Sequence, residues 1–534
     1  MITKKYKKLK INLISLFLII SSNCIGQESP NFLWLVCEDQ SLFFSIYGDS
    51  SANTPNINQL AKDGLVYQNC YTPSPVCAPS RSSLITGMYP TTLGTQHMRA
   101  YKKSATNNSI NPHNALPYYS AKPKKPIRFF TEDLRTNGYY CTNNSKEDYN
   151  MITSPLAWDE SSQAAHWRNR KKGQSFFSVF NFNVTHESNI WKNKNTYSIE
   201  ELDNVKIPNI FPNDDAISSD LLTNYKNIEK LDKQIGVIIE QLKEDDQYEN
   251  TIIFFFSDHG GPFPRYKRSI YETGIRVPML AKWIDDTCRG KANQLVSFVD
   301  FAPTILDAAN IEREFAFEGV SFFKKDQRKY VFAASDRFDK GKDMRRSIRG
   351  NNFKLIYNGD TTTSVYRPVN YRQQMKTMQV LDSLHKNKNL NTCFSNWFSK
   401  DKNRFELYEI SEDYYEAKNL IHNPKYEGVF KILQYHLLKW IEDSDFGNMS
   451  ESAMLESMFT SSMNIPKLKM PEIIINDLGF LIESNNVYAS IGWRNKNKKV
   501  WNIYQKNNLI NPKDDFEVVL FRPGYEVLFQ VFKK

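Results

Sequence analysis

Three apolar runs along the chain end abruptly in ionisable residues. "NFLWLVCED" (Asn31–Asp39) ends in two acids, "SFFSVFNFNVTHES" runs into His186-Glu187, and "TIIFFFSDHGG" (Thr251–Gly261) ends in Asp258-His259. All three are continuously apolar rather than alternating, the pattern of strands covered on both faces, as in a parallel sheet packed between helices. Ahead of the third run, "YKNIEKLDKQIGVIIEQLKEDD" places Ile228, Leu231, Ile235, Ile238 and Leu242 at the three- and four-residue spacing of an amphipathic helix. Strand–helix–strand alternation predicts an α/β fold with a mixed, largely parallel central sheet flanked by helices. In such sheets chemistry collects at the carboxyl ends of the strands, and all three runs deliver polar residues there.

From about Tyr330 the texture changes. Shorter runs, "RSIRGNNFKLIYN" and "RFELYEIS", predict a smaller antiparallel subdomain over 331–445, closed by a helix near "YEGVFKILQYHLLKWIEDS". Residues 446–467 read as a linker with loose helical character. The tail, 468–534, alternates strand-like segments with turn residues and predicts a small all-β, sandwich-like module. Its Trp493 and Trp501 are expected to be core residues. The catalytic unit is expected over 27–330.

The N-terminus carries a basic stretch, "MITKKYKKLK", and a short apolar run, "INLISLFLII", followed by small and polar residues. The run is too short to span a bilayer, so residues 1–26 read as a cleaved export signal and the protein as exported, periplasmic; lipidation of Cys24, or secretion, is the alternative. No later stretch reaches membrane-spanning length. Hydrophobic residues make up 40% of the 534 positions and aromatics 13%, enough for a sizeable core and incompatible with a disordered chain. The formal net charge of +10 favours an anionic partner: nucleic acid, acidic membrane or acidic polysaccharide. No Lys/Arg block beyond the first ten residues reads as a nucleic-acid arm. Seven cysteines show no close pairing pattern, and Cys37, inside an apolar strand, is expected to be a small core residue.

Chemistry enters with the acids. Glu38, Asp39 and Asp258, brought to one place, would repel one another, and a divalent cation would relieve the repulsion. A site rich in carboxylates with few nitrogens suits Ca²⁺, or Mg²⁺, better than zinc. The stretch "SPVCAPSRSSLITG" (Ser74–Gly87) adds a thiol. Pro79 suits the first turn of a helix, which places Cys77 just ahead of the helix N-terminus, where free N–H groups favour an anion. Arg81 adds a guanidinium suited to tetrahedral oxyanions.

The run Cys77-Ala78-Pro79-Ser80-Arg81, continuing to Leu84-Ile85-Thr86-Gly87, resembles the signature of the type I, formylglycine-dependent sulfatases of the alkaline-phosphatase-like superfamily, a pattern of high specificity. The resemblance extends from about Pro30 to Leu420. It implies that Cys77 is converted by a maturation enzyme to formylglycine, the nucleophile, and that Glu38, Asp39, Cys77, Asp258 and His259 surround calcium. It further implies that Arg81, Lys146 and Lys267 hold the sulfate and that His186 protonates the leaving alcohol. The chain departs from the family pattern at Glu38, where Asp is common, at His259, where Asn is frequent, and at Asp148, where many members carry histidine. His97 and Arg99, following the signature helix, are expected to rim the pocket, and Arg337, Arg346 and Arg349 resemble positions from which related bacterial polysaccharide sulfatases grip carboxylates or neighbouring sulfates of the substrate.

The expected substrate is a sulfated polysaccharide or its oligosaccharides, of the algal ulvan or carrageenan type. A heparan or N-sulfoglucosamine substrate is the alternative, and the same scaffold also serves phosphodiester and phosphonate hydrolases. A non-catalytic glycan binder would be indifferent to loss of Cys77. Nucleic acid and a transmembrane segment are not expected.

Overall fold

The computed structural model describes residues 29–103, 109–192, 197–285, 287–323 and 328–534; the expected export signal and Cys24 lie outside these residues. Among the described residues, eight strands form the central sheet: β1 (Asn31–Cys37), β2 (Leu65–Tyr71), β3 (Tyr140–Asn144), β4 (Glu160–Ser161), β5 (Phe176–Phe182), β6 (Thr251–Ser257), β7 (Arg276–Lys282) and β8 (Gly290–Ser297), in the order β4-β3-β5-β1-β6-β7-β2-β8. Every neighbouring pair is parallel except those made by β7, which runs antiparallel to both β6 and β2. The predicted mixed, largely parallel sheet is the one observed.

Continuous apolarity in β1 has the expected cause, since both faces are buried. Leu33, Leu35 and Cys37 join one core with Ile228, Leu231 and Ile235 of the long helix Asp215–Glu244. Phe32, Trp34 and Val36 join the other, with Phe130, Leu134, Phe301 and Ile305 from the helices opposite. Trp34 anchors that second core, with ring centroids 5.0 Å from Phe177, 5.5 Å from Phe256 and 5.8 Å from Phe301. On the long helix Ile239 is buried while Ile238 is only half-buried, because the 3.6-residue period drifts off a strict three/four spacing.

The second sheet is antiparallel, in the order β12-β11-β10-β9: β9 (Val331–Phe338), β10 (Gly341–Arg349), β11 (Phe353–Asn358) and β12 (Phe405–Glu409). Helix Glu427–Asp443 packs on it through Leu433, Leu437 and Trp440, in a core shared with Tyr89 and Val299 of the larger unit. Between β11 and β12 an insertion carries helices Lys376–Lys386 and Thr392–Phe398, whose Met378, Leu381, Phe394 and Trp397 enter the first core of the central sheet. This insertion packs the second sheet's chain against the central sheet. Residues 446–467 contain the helix Glu451–Met458, and its Met454 and Met458 pack with Ala100 and Tyr119.

The tail forms a two-stranded ribbon, β13 (Glu472–Asn476) with β14 (Gly479–Glu483), and an antiparallel sheet β16-β15-β17-β18 built from β15 (Ser490–Asn495), β16 (Asn502–Ile503), β17 (Phe516–Phe521) and β18 (Leu528–Phe532). Trp501 is buried with Leu156 and Val519, and Trp493 packs against the tail's own core, as expected. Arg135 donates to the Trp501 carbonyl at 2.8 Å, tying the tail to the larger unit.

Candidate active site

Strands β1, β5 and β6 are adjacent and parallel, with Cys37 opposite both Phe182 and Ser257. Their polar extensions must therefore emerge side by side. Just beyond β1, Asp39 has a left-handed backbone (φ 54°), a conformation that Asp tolerates better than most residues. This turn drops its carboxylate between the other two strand ends. Oδ2 of Asp39 accepts from the Glu187 N–H at 2.7 Å and from Nζ of Lys267 at 2.7 Å, while the Asp39 N–H donates to Oδ1 of Asp258 at 3.2 Å. Beyond β6, Gly260 allows the Asp258-His259 turn to approach Gly274, whose backbone a Cβ at that position would strike.

Helix Cys77–Thr86 completes the cluster. It begins at Cys77 itself, with Val76 as the capping residue, so the thiol lies in the first turn and not ahead of it. Pro79 fits inside that turn because the N–H it lacks would have no helical partner there. Sγ of Cys77 lies 3.2 Å from Nε2 of His259. Four residues on, Arg81 pairs with Asp258 at 3.1 Å and donates to Oδ1 of Asn181 at 2.7 Å. Lys146 arrives from the loop after β3 and pairs with Glu38 at 2.9 Å. Asp39, Asp258 and His259 are completely buried, whereas the side chains of Lys146 and His186 are each 25% exposed. The cluster therefore opens to solvent between those two residues.

The electrostatics follow from this packing. Burial alone would favour protonated carboxylates. Against it, Lys267, His186 and His259 hold Asp39 far below the usual carboxylate range, and His259, Arg81 and Lys146 hold Asp258 at about 2. Burial lowers the basicity of Lys267 and Lys146, but Asp39 and Glu187 more than restore it for Lys267, as do Cys77 and Glu38 for Lys146. For His259, burial is outweighed by Asp258, Cys77 and Asp39, which lift its pKa to about 10.

Two groups of side chains here are close enough together to hold a metal ion. Asp39 Oδ1 is buried and faces Nε2 of His259 at 3.1 Å, and Asp39, Cys77 and His259 form a group whose ligand atoms all lie within 4.8 Å of one another. Glu38, Asp39 and His186 form a second such group. Nδ1 of His259 faces the Gly260 carbonyl at 2.9 Å, which fixes the proton on Nδ1 and leaves Nε2 directed at the cluster. The field that raises the basicity of His259 would equally attract a metal ion.

Five site residues lie outside the sequence expectation. Glu187 is buried and bridges Lys267 (3.2 Å) to Arg268 (2.9 Å); Asp339 bridges Arg268 (3.0 Å) to Arg99 (2.9 Å). An alternating chain of charges thus runs from Arg99 at the rim to Asp39 at the centre. The adjacency of Glu187 to His186 and of Arg268 to Lys267 was the only sequence signal for it. Tyr371, from the insertion, has its ring 6.4 Å from His186 and edge-on to Trp191 at 4.9 Å, forming an aromatic wall beside the histidine.

Several expected substrate contacts are engaged internally. Arg337 donates twice to Glu451, at 2.7 and 2.8 Å, and buried His97 sits 3.6 Å from the same carboxylate. Arg346 is buried, paired with Asp336 at 2.8 Å and donating to the Gly447 carbonyl at 3.0 Å. Arg349 is buried against the Gly350 and Asn351 carbonyls. Arg346 and Arg349, expected to contact substrate, are buried within the second sheet and its surroundings. Asp148 is exposed in the loop beyond Lys146.

The arrangement is that of an anion-binding hydrolase. Residues 30–311 match the family model described as Sulfatase, and residues 263–396 that described as N-sulphoglucosamine sulphohydrolase, C-terminal. The chain belongs to the sulfatase family and is a sulfuric ester hydrolase. It is 37% identical over 544 residues to an ulvan-active sulfatase of Formosa agariphila, covering 93% of this chain and 90% of the relative. Among solved structures, one described as a 2-O GAG sulfatase aligns with a TM-score of 0.57 at 16% identity, covering 78% of this chain and 93% of its own. A second, Ps i-CgsB in complex with k-i-k-neocarrahexaose, aligns with a TM-score of 0.51 at 19% identity over 80% of this chain and 97% of its own.

Proposed function

We propose that the protein releases sulfate from ulvan-type oligosaccharides after export to the periplasm and oxidation of Cys77 to formylglycine by a maturation enzyme. The observation that carries this reading is the 37% identity to the ulvan-active sulfatase, sustained over nearly the whole of both chains.

Glu38, Asp39, Asp258 and His259 would hold calcium beside position 77, where its positive charge would polarise the sulfate and the nucleophile. The protein groups supply the rest. Arg81 and Lys146 place positive charge on two sides of position 77, and Lys267 adds a third from beneath Asp39; such fixed cations stabilise the charge spread over sulfate oxygens in the transition state. His186 accepts the Ser188 N–H at Nδ1 (3.3 Å), so its proton resides on Nε2, the nitrogen turned toward Asp39. From there it can reach the departing sugar oxygen. The Tyr371–Trp191 wall offers a face on which that sugar would rest.

The match of residues 263–396 to the N-sulphoglucosamine sulphohydrolase C-terminal model favours a second reading, with an N-sulfated glucosamine as substrate. The experiment that decides is sulfate release by the matured enzyme from ulvan oligosaccharides, carrageenan oligosaccharides, heparan disaccharides and phosphate monoesters, side by side. Turnover of ulvan fragments, abolished in Cys77→Ala, is the expected result. Faster release from N-sulfated glucosamine would transfer the assignment to the second reading.

A further inference from the structure

Beneath the insertion, between the second sheet and the loop of Arg268, lies a cavity of about 30 Å³ whose wall carries four arginines, Arg268, Arg345, Arg367 and Arg372, and two aspartates, Asp336 and Asp343. Most of the charges around it are engaged in ion pairs. Arg268 is neutralised by Glu187 and Asp339, and Arg345 by Glu406 at 3.3 Å. Asp336 is taken by Arg346 at 2.8 Å. Asp343 is shared between Lys402, at 2.8 Å, and Arg367, at 3.6 Å.

Arg372 has no such partner among the described residues. It is 3% exposed, donates once, to the Arg367 carbonyl at 3.2 Å, and lies between the rings of Trp397 (5.2 Å) and Tyr366 (5.8 Å). Its Nε is buried without any acceptor. Burial and the neighbouring Arg268 push its pKa down to about 10, which leaves it charged at neutral pH. A guanidinium holds its charge, and an uncompensated buried charge is strongly destabilising. The cavity is small, with space enough for a particle the size of a water molecule or a halide.

We propose that this cavity binds one small monovalent anion, of halide chemistry, as the counter-ion of Arg372. The site is separate from the sulfate-binding cluster but shares Arg268 with the chain of charges leading to Lys267. An anion beside Arg372 screens it from Arg268 and lets Arg268 keep its grip on Glu187.

The test uses the full-length protein. Thermal unfolding is followed in sodium chloride and sodium bromide against sodium gluconate at matched ionic strength, gluconate being too large for the cavity. The melting temperature should rise saturably in either halide, by about 2–4 °C, and Arg372→Met should remove the difference. Crystals grown in bromide should show an anomalous peak in the cavity within hydrogen-bond distance of the Arg372 guanidinium, a readout that does not require the variant to fold. Equal melting in halide and gluconate, a halide response retained by Arg372→Met, or no peak at that position would overturn the proposal. So would a bromide peak displaced by a uronate-bearing oligosaccharide, since the anion would then be a substrate carboxylate. None of these readouts depends on sulfatase activity.

Discussion

Nε2 of His259 stands 3.2 Å from the sulfur of Cys77 and 3.1 Å from Oδ1 of Asp39, joining the first turn of a helix to the ends of two strands. Residues 39, 77 and 259 are far apart in the chain and meet because β1 and β6 are parallel neighbours and the helix points its N-terminus at their carboxyl ends.

If Cys77 is a precursor, the matured protein should carry a peptide lighter by about 18 Da at that position, the difference between a cysteine and an aldehyde-bearing residue. Cys77→Ala should lower sulfate release by at least about 10³-fold, as removal of a nucleophile does. Mass spectrometry of an active preparation showing only intact thiol would end this assignment.

Calcium removal should inactivate the enzyme and lower its melting temperature, with both restored on adding calcium back. Asp39→Asn should weaken calcium binding by at least about tenfold, because it removes a charge from the carboxylate that both candidate ligand groups share. Titration calorimetry on wild type and variant reads this directly; equal affinities would mean that the ion is held elsewhere.

His186→Gln should separate substrates by leaving group. Release from a sugar sulfate, whose alkoxide needs a proton, should fall by about 10²–10⁴-fold, while nitrophenyl sulfate, whose phenolate leaves unaided, should lose less than about tenfold. Equal losses on both would exclude proton donation from Nε2.

Tyr371→Ala should raise KM for the oligosaccharide about fivefold, an effect on the order of 1 kcal/mol, and leave nitrophenyl sulfate turnover unchanged. A variant impaired equally on both would place the tyrosine in positioning His186 rather than in holding sugar.

Asp220 links the long helix to the insertion, accepting from the Thr377 N–H at 2.7 Å and its hydroxyl at 2.8 Å. Burial raises its pKa to about 6, against two hydrogen bonds from Thr377 that lower it. Because the folded-state value is raised, the folded protein binds the extra proton; this contribution is full below the unfolded value of about 4 and is lost as pH rises through 6. Asp220→Asn keeps an acceptor without the charge, and should stabilise the protein at pH 7.5 by about 1–3 kcal/mol with little effect near pH 3.5. Denaturant unfolding at the two pH values measures it, and destabilisation at pH 7.5, or an equal effect at both, would refute the reading.

Much of the fold was legible because local pattern and burial coincide. Uninterrupted, β-branched and aromatic runs such as Phe32–Cys37 read as strands shielded on both faces, and their polar ends mark the edge where a parallel sheet gathers chemistry. The signature around Cys77 named the family with no knowledge of the fold. What the chain alone left open was pairing. Arg346 and Arg349 look like any exposed basic residues in a sequence, yet the register of β10 turns them inward to Asp336 and to backbone carbonyls. Arg268, Asp339 and Arg99 become one chain of charges, and Tyr371 reaches His186, only because the second sheet and its insertion fold back over the first. Hydrophobic periodicity is a property of neighbours in sequence and survives in the sequence; the partner of a charge is chosen across space, by which strands lie side by side, and is therefore decided by the tertiary structure.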